Sequence, residues 1–229
     1  MMSIANIVLQ EIRFLTEKLI SVNLSVSQNY PSSVSTSNGG VEITFSGASN
    51  LSVALKNIEY HEIYRQLDHS NNYNLKLIDG ALIQLSYTFS NDKLVSHRLC
   101  FFPSPSFEPF QNEPEIYELD EIYADVIAKN ILPIPIRFDF DPANFCEFDH
   151  PQSHMTLGQY KNCRIPVSSP ISPSVFINFI LRSFYNTAYR KFENLFQKAP
   201  ILFDESITLN ERKYLHISIT KGLPLGPES

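Results

Sequence analysis

Residues 137–166, RFDFDPANFCEFDHPQSHMTLGQYKNCRIP, concentrate the side chains of this chain that can move protons, bind anions or ligate metals. Three aspartates (Asp139, Asp141, Asp149), two histidines (His150, His154), two arginines (Arg137, Arg164) and two of the three cysteines fall within these thirty residues. Imidazole exchanges protons near neutral pH, and a guanidinium fork matches phosphate. The set therefore suits acid–base cleavage of a phosphodiester. His150 and His154 would act as proton donor and acceptor, and Asp139 would orient a histidine. Arg137 and Arg164 would hold phosphate, with Lys161 adding a positive contact and Tyr160 a stacking surface. The plainer alternative is an ordinary strand on which Arg137 and Asp139 form an ion pair of little worth at the surface.

Metal chemistry is a third alternative. His150 and His154 have an HxxxH spacing, but Pro151 stands where the zinc-protease motif needs glutamate. That motif is absent. Asp139, Asp141, Asp149, His150 and His154 are still of the type that suits zinc, manganese or iron. No cofactor is expected, and no diagnostic ligand spacing specifies a metal. The chain also lacks a nucleophile-elbow GxSxG, a dinucleotide fingerprint and a phosphate-cradling glycine loop, and it has only seven glycines.

Hydrophobic periodicity indicates what must position these groups. Apolar residues at spacings of three and four predict helices over 4–22, 57–67 and 116–129. Ser172-Pro173 is a strong helix start, and the apolar stripe after it predicts one helix to about Phe196. Alternation predicts strands at 24–26, 41–45, 73–78, 81–89, 94–102, 134–140, 154–157, 163–167 and 213–220. Asp79-Gly80 favours a type I′ hairpin turn, and residues 90–93 form the next turn. Residues 27–40 read as a loop, and four prolines keep 103–114 irregular. The fold class expected is α+β: an antiparallel meander packed against N- and C-terminal helices, in a single domain over residues 1–229. On the strand at 134–140, alternation puts Arg137, Asp139 and Asp141 on one face and Phe138 and Phe140 on the other.

Composition narrows the partners. With 43% apolar residues the chain can bury a proper core, while only 18% are charged, below the usual quarter. That leaves room for a protein partner or a homo-oligomer. A net charge of −6 argues against a broad duplex-binding surface, although a local site for RNA or a nucleotide stays open. No apolar run is long enough for a membrane span. Glu11, Arg13, Glu17 and Lys18 interrupt any signal-peptide core. Three cysteines without CxxC spacing fit a reduced, cytoplasmic protein.

The runs HRLCFFPSP (97–105), IPIRFDFDP (134–142) and HPQSHMTLGQYKNCRIPVSSPISPSVFINFILRSFY (150–185) resemble one uncharacterised bacterial family, a domain of unknown function. The resemblance spans about two thirds of the chain and implies no activity. A partial similarity links Arg137-Phe138-Asp139, followed by His150 and His154, to small bacterial toxins with an Arg-Tyr-Asp-Asn element and a histidine cluster. Phe138 and Phe140 replace the tyrosine and asparagine of that element. This similarity implies RNA- or nucleotide-directed activity in a toxin or anti-phage setting. Two functions are thus expected in competition: a toxin-like or defence-associated phosphodiesterase or nuclease, and a non-catalytic accessory subunit of a larger bacterial assembly.

Overall fold

A computed structural model describes residues 2–45, 48, 58–105, 134–160, 162–196 and 201–219. Its elements run α1 (Ile4–Ser21), β1 (Ser25–Gln28), β2 (Pro31–Ser35), β3 (Val41–Phe45), α2 (Tyr60–His69), β4 (Leu75–Leu77), β5 (Leu82–Ser90) and β6 (Lys93–Phe102). They continue with β7 (Ile136–Phe140), β8 (Ser153–Leu157), β9 (Ile165–Pro166), α3 (Pro173–Phe184) and α4 (Asn186–Phe196). The helix expected at 116–129 lies outside the described residues.

The nine strands form one antiparallel sheet in the order β1-β4-β5-β6-β7-β8-β9, with β3 also on β5 and β2 on β3. One face carries Leu85, Tyr87, Phe89, Leu99, Phe101 and Phe138 and shares the main core with α1, α3 and α4. The other face is polar along much of its length. α2 closes one end of it, where Ile63, Tyr64 and Leu67 cluster with Leu82, Cys100 and Phe102. This is the α+β class that the patterning indicates.

α1 buries Val8, Ile12, Leu15 and Leu19 on one stripe. Ser3 caps it by accepting from Asn6 N–H. The carboxylate of Asp92 accepts from Ile4 N–H at 2.6 Å. Asp92 reaches that position because Asn91 and Asp92 both have positive φ, 49° and 60°, between the paired Ser90 and Lys93. The type I′ turn is therefore here and not at Asp79-Gly80. At the earlier turn Gly80 alone has positive φ, +85°. Gly80 N–H donates to Leu77 O, and Leu77 N–H donates to Ala81 O. Asp79 is drawn into the core, accepting from Ala81 N–H and from Tyr185 OH.

Gly80 is a position where the backbone requires glycine. A Cβ there would sit 3.2 Å from Tyr64 Oη and 3.3 Å from Ser104 Oγ. Gly80→Ala is expected to cost about 1–2 kcal/mol, read as a lower urea midpoint. Gly39→Ala, also at positive φ but with nothing within 4 Å, should cost less.

Three other expectations are corrected. The helix expected from 172 to 196 breaks at Tyr185 (φ −133°, ψ 48°), giving α3 and α4. The side chain that breaks it is fully buried, with its hydroxyl on Asp79. The closing strand at 213–220 is reduced to a single parallel bridge between Val167 and Ile217, preceded by a 3-10 turn at Glu211–Lys213. Finally, part of the supposed loop at 27–40 is β2, which adds to the sheet edge through β3.

Two buried polar groups fix the start of α3, one from α1 and one from the sheet. Glu11, inside the apolar stripe of α1, accepts from Ser174 N–H in the first turn of α3 at 2.9 Å. A carboxylate at a helix N-terminus answers both the orphan N–H groups and the helix dipole. His97 faces the core between the rings of Tyr87 and Phe140. Ile171 N–H donates to its Nε2 at 3.2 Å, while Tyr87 OH donates to Ile171 O at 3.0 Å. The peptide leading into α3 is thus gripped from both sides.

Candidate functional site

Strand alternation and register together build the charged cluster. On β7, Phe138 turns into the core against Phe176 and Phe179, so Arg137 and Asp139 must face the polar side. Across β6, β7 and β8 the register aligns Arg98, Asp139 and His154 in one row, and Cys100, Arg137 and Thr156 in the next. Asp139 therefore lies between Arg98 and His154, with Arg137 two residues back on its own strand.

Asp139 is 4% exposed. Arg98 Nε donates to its Oδ1 at 2.8 Å, and Arg137 Nε donates to its Oδ2. Burial pushes the carboxyl up, but the two guanidinium groups outweigh it and hold Asp139 below the usual carboxylate range. The expected surface ion pair is in fact a buried cluster. The reason is that β6 and β8 flank β7, so the side chains of Arg98 and His154, with Arg137, close around Asp139.

His154 is 2% exposed. Its Nδ1 lies 2.8 Å from Pro151 O, an acceptor, so Nδ1 carries the proton. Nε2 points at Asp139 Oδ2, 3.6 Å away and beyond hydrogen-bond distance. Burial lowers the His154 pKa and Asp139 only partly opposes this, so the ring is neutral at neutral pH.

His150 packs edge-on against His154, ring centres 4.8 Å apart. Its Nε2 is 4.0 Å from Asp141 Oδ2. A one-rung bridge between Cys146 and His150 pinches off the loop that ends at His150. Arg164 is not in the cluster: its Nη1 donates to Asp149 O at 3.3 Å and braces that loop from outside. Asp141 lies just past the end of β7, where it accepts from Asn144 Nδ2. Lys161 lies outside the described residues, and Tyr160 is well exposed.

Of the residues expected from sequence, the fold brings together Arg137, Asp139 and His154, sets His150 beside them and leaves Arg164 apart. Sequence reasoning missed Arg98: the turn at residues 90–93 pairs Ser90 with Lys93 and Phe89 with Leu94, and a one-residue register shift beyond them sets Arg98 opposite Ser86, on the polar face. It also missed Glu42, whose carboxylate accepts from Ser86 Oγ at 3.2 Å. Among the described residues no group of three or more His, Cys, Asp and Glu side chains is placed to hold a metal ion. Cys100 sits beneath α2, its thiol pushed up to about 12 by burial. Nor, among them, is any helix long and apolar enough to cross a membrane.

Neither the curated proteins nor the solved structures give a match to this chain. A family model does match, over residues 24–219, a span that takes in all nine strands and the whole Arg98–Asp139–His154 row, and on that match the chain belongs to the uncharacterized conserved protein family DUF2290.

Proposed function

We propose that this chain is a non-catalytic binding subunit of a larger assembly, with the Arg98–Asp139–Arg137 cluster as an internal brace. One observation carries the reading: His154 is enclosed, only 2% exposed, so a substrate cannot reach its ring. One nitrogen donates to Pro151 O and the other faces Asp139, on a ring that is almost wholly enclosed. Both arginines are likewise engaged by one carboxylate. A general acid or base must reach the proton it moves.

The outer surface supports a partner. Phe148, Leu209, Tyr214 and Leu215 are exposed at 49%, 82%, 67% and 84%. Phe148 and Tyr214 meet edge to face, ring centres 5.4 Å apart. Their two loops are stapled by Glu147, which accepts from Thr208 Oγ1, and by the buried Glu211, which accepts from Thr208 N–H and Phe148 N–H. Phe148 is held at φ +69°, which a bulky residue adopts only when its surroundings impose it. Rigid exposed apolar side chains of this kind are what protein interfaces use. A cytoplasmic setting fits this reading, as do the three free cysteines.

A second reading, a toxin-like or defence-associated nuclease, is favoured by one contact. Neutral His154 offers an unprotonated Nε2 next to Asp139, with the His150 ring beside it. Purification from native cells separates the two. The binding reading expects a complex of fixed stoichiometry, which Phe148→Asp with Leu215→Asp dissolves while the unfolding midpoint holds. A chain that purifies alone and cleaves RNA, with cleavage abolished by His154→Asn, would overturn it.

A further inference from the structure

The sheet ends in three edge strands, and two of them are protected against pairing with another chain. β9 is only Ile165–Pro166, preceded by Arg164, so shortness, a proline and a charge all stand against it. β1 carries a register shift between Ser25 and Ser27, a bulge that spoils a regular edge. β2 has neither device beyond its first residue, Pro31. Among the described residues it pairs only with β3. Ser33, Val34 and Ser35 are exposed, and no charged residue occurs from Leu19 to Val41.

The phase of the β2–β3 ladder shows which main-chain groups this edge offers. Thr36 N–H donates to Gly40 O at 2.9 Å, one step beyond the Ser35–Val41 pair. Bonded residues alternate along an antiparallel pair, so Val34 and Ser32 also bond to β3. Ser33 and Ser35 therefore turn their N–H and C=O groups outward. Pro31 shares that outward phase, where its missing N–H costs the sheet nothing.

We propose that this chain forms a two-fold dimer by antiparallel pairing of β2 with β2 of a second copy, centred on Val34. In that register Ser33 and the partner's Ser35 exchange both main-chain bonds, and symmetry repeats the exchange. Val34, 49% exposed, meets the partner's Val34 as the closely spaced non-bonded pair. Charge favours a copy of the chain at this place above any other. With a net charge of −6 two copies repel, and here the facing strands carry no charge. Glu42 stands beside Val34 on β3, so the two Glu42 carboxylates lie three strand spacings apart. That is about 14 Å, beyond the screening length of about 8 Å at physiological salt. Pairing uses up β2 in both copies and leaves only the protected edges, so assembly closes at the dimer. The contact is separate from the partner surface at Phe148, which lies on the β7–β8 connection towards the other edge of the sheet.

Sedimentation velocity of the full chain over a range of concentrations tests this. A reversible dimer is expected. Val34→Glu should abolish it, because it lines up four carboxylates along one row of the joined sheets. Ser33→Pro removes an outward N–H that β3 does not use, and should weaken the dimer by about tenfold or more with the far-UV spectrum unchanged. Phe148→Asp with Leu215→Asp should leave the dimer intact. A chain that stays monomeric at about 100 μM, a dimer that survives Val34→Glu, or one that dissolves on changing Phe148 and Leu215 would overturn the proposal.

Discussion

Asp139→Ala is expected to destabilise the fold by about 3–5 kcal/mol, the usual cost of removing one member of a buried ion cluster. In a chain of this size that corresponds to a fall in Tm of the order of 10 °C. Asp139 is the single anion between Arg98 and Arg137, and both guanidinium groups are largely withdrawn from water, with side chains 28% and 15% exposed. Removing the carboxylate leaves two like charges facing each other across β6 and β7 with nothing between them. Asp139→Asn, which keeps an acceptor and loses the charge, should fall between wild type and Ala. The Ala cost should shrink when Arg98→Met is added, because one of the stranded charges is then gone. Urea denaturation of the four proteins supplies the comparison. A loss below about 1 kcal/mol for Asp139→Ala would mean that the arginines are paired elsewhere, and the idea of a brace would fail.

The second large effect is loss of stability in mild acid, traced to His97. Burial lowers its pKa to about 4 from an ordinary 6.5, and Asp139 offsets only part of this. Its Nε2 must also be unprotonated to accept from Ile171 N–H. Between pH 6.5 and 4 the unfolded chain binds a proton at this position and the folded chain does not. Stability therefore rises with pH across that window and levels off above it. The full shift is worth about 3 kcal/mol. Asp139 acts in a separate, lower window: its pKa is depressed, so its contribution is present above the ordinary carboxylate range and is lost only below it. His97→Asn, which retains an acceptor for Ile171 N–H, should lower stability at neutral pH yet flatten the slope between pH 6.5 and 4. A slope identical to wild type in that variant would assign the acid sensitivity to other groups.

How much of this was legible in the sequence depended on whether the relevant contact is local. The β5–β6 pairing follows from a two-residue turn, although a one-residue register shift past Phe89 is what sets Arg98 opposite Ser86 on the polar face. The β6–β7 pairing does not, since the long stretch 103–135 separates the strands and no local signal sets how Arg98 meets Asp139. The density of Asp, His and Arg in 137–166 marked the right region but not its character. Those residue types serve acid–base chemistry when open and bracing when enclosed, and enclosure is decided by neighbouring strands. The break at Tyr185 was hidden for the same reason: its cause is Asp79, more than a hundred residues earlier. The Asp79-Gly80 dipeptide carried a strong two-residue turn signal, but the pull of Tyr185 on Asp79 gives that turn a different form.

The contact between Glu11 and Ser174 bears on how the limits of this family are drawn. The match begins at residue 24, just after α1 ends, yet α1 supplies the carboxylate that completes the first turn of α3 and the stripe that lies against it. A fragment trimmed to the matched span would uncover an apolar strip and orphan a helix terminus at once. In this chain α1 belongs to the same physical unit as the sheet and α3, and a boundary drawn at residue 24 cuts through it.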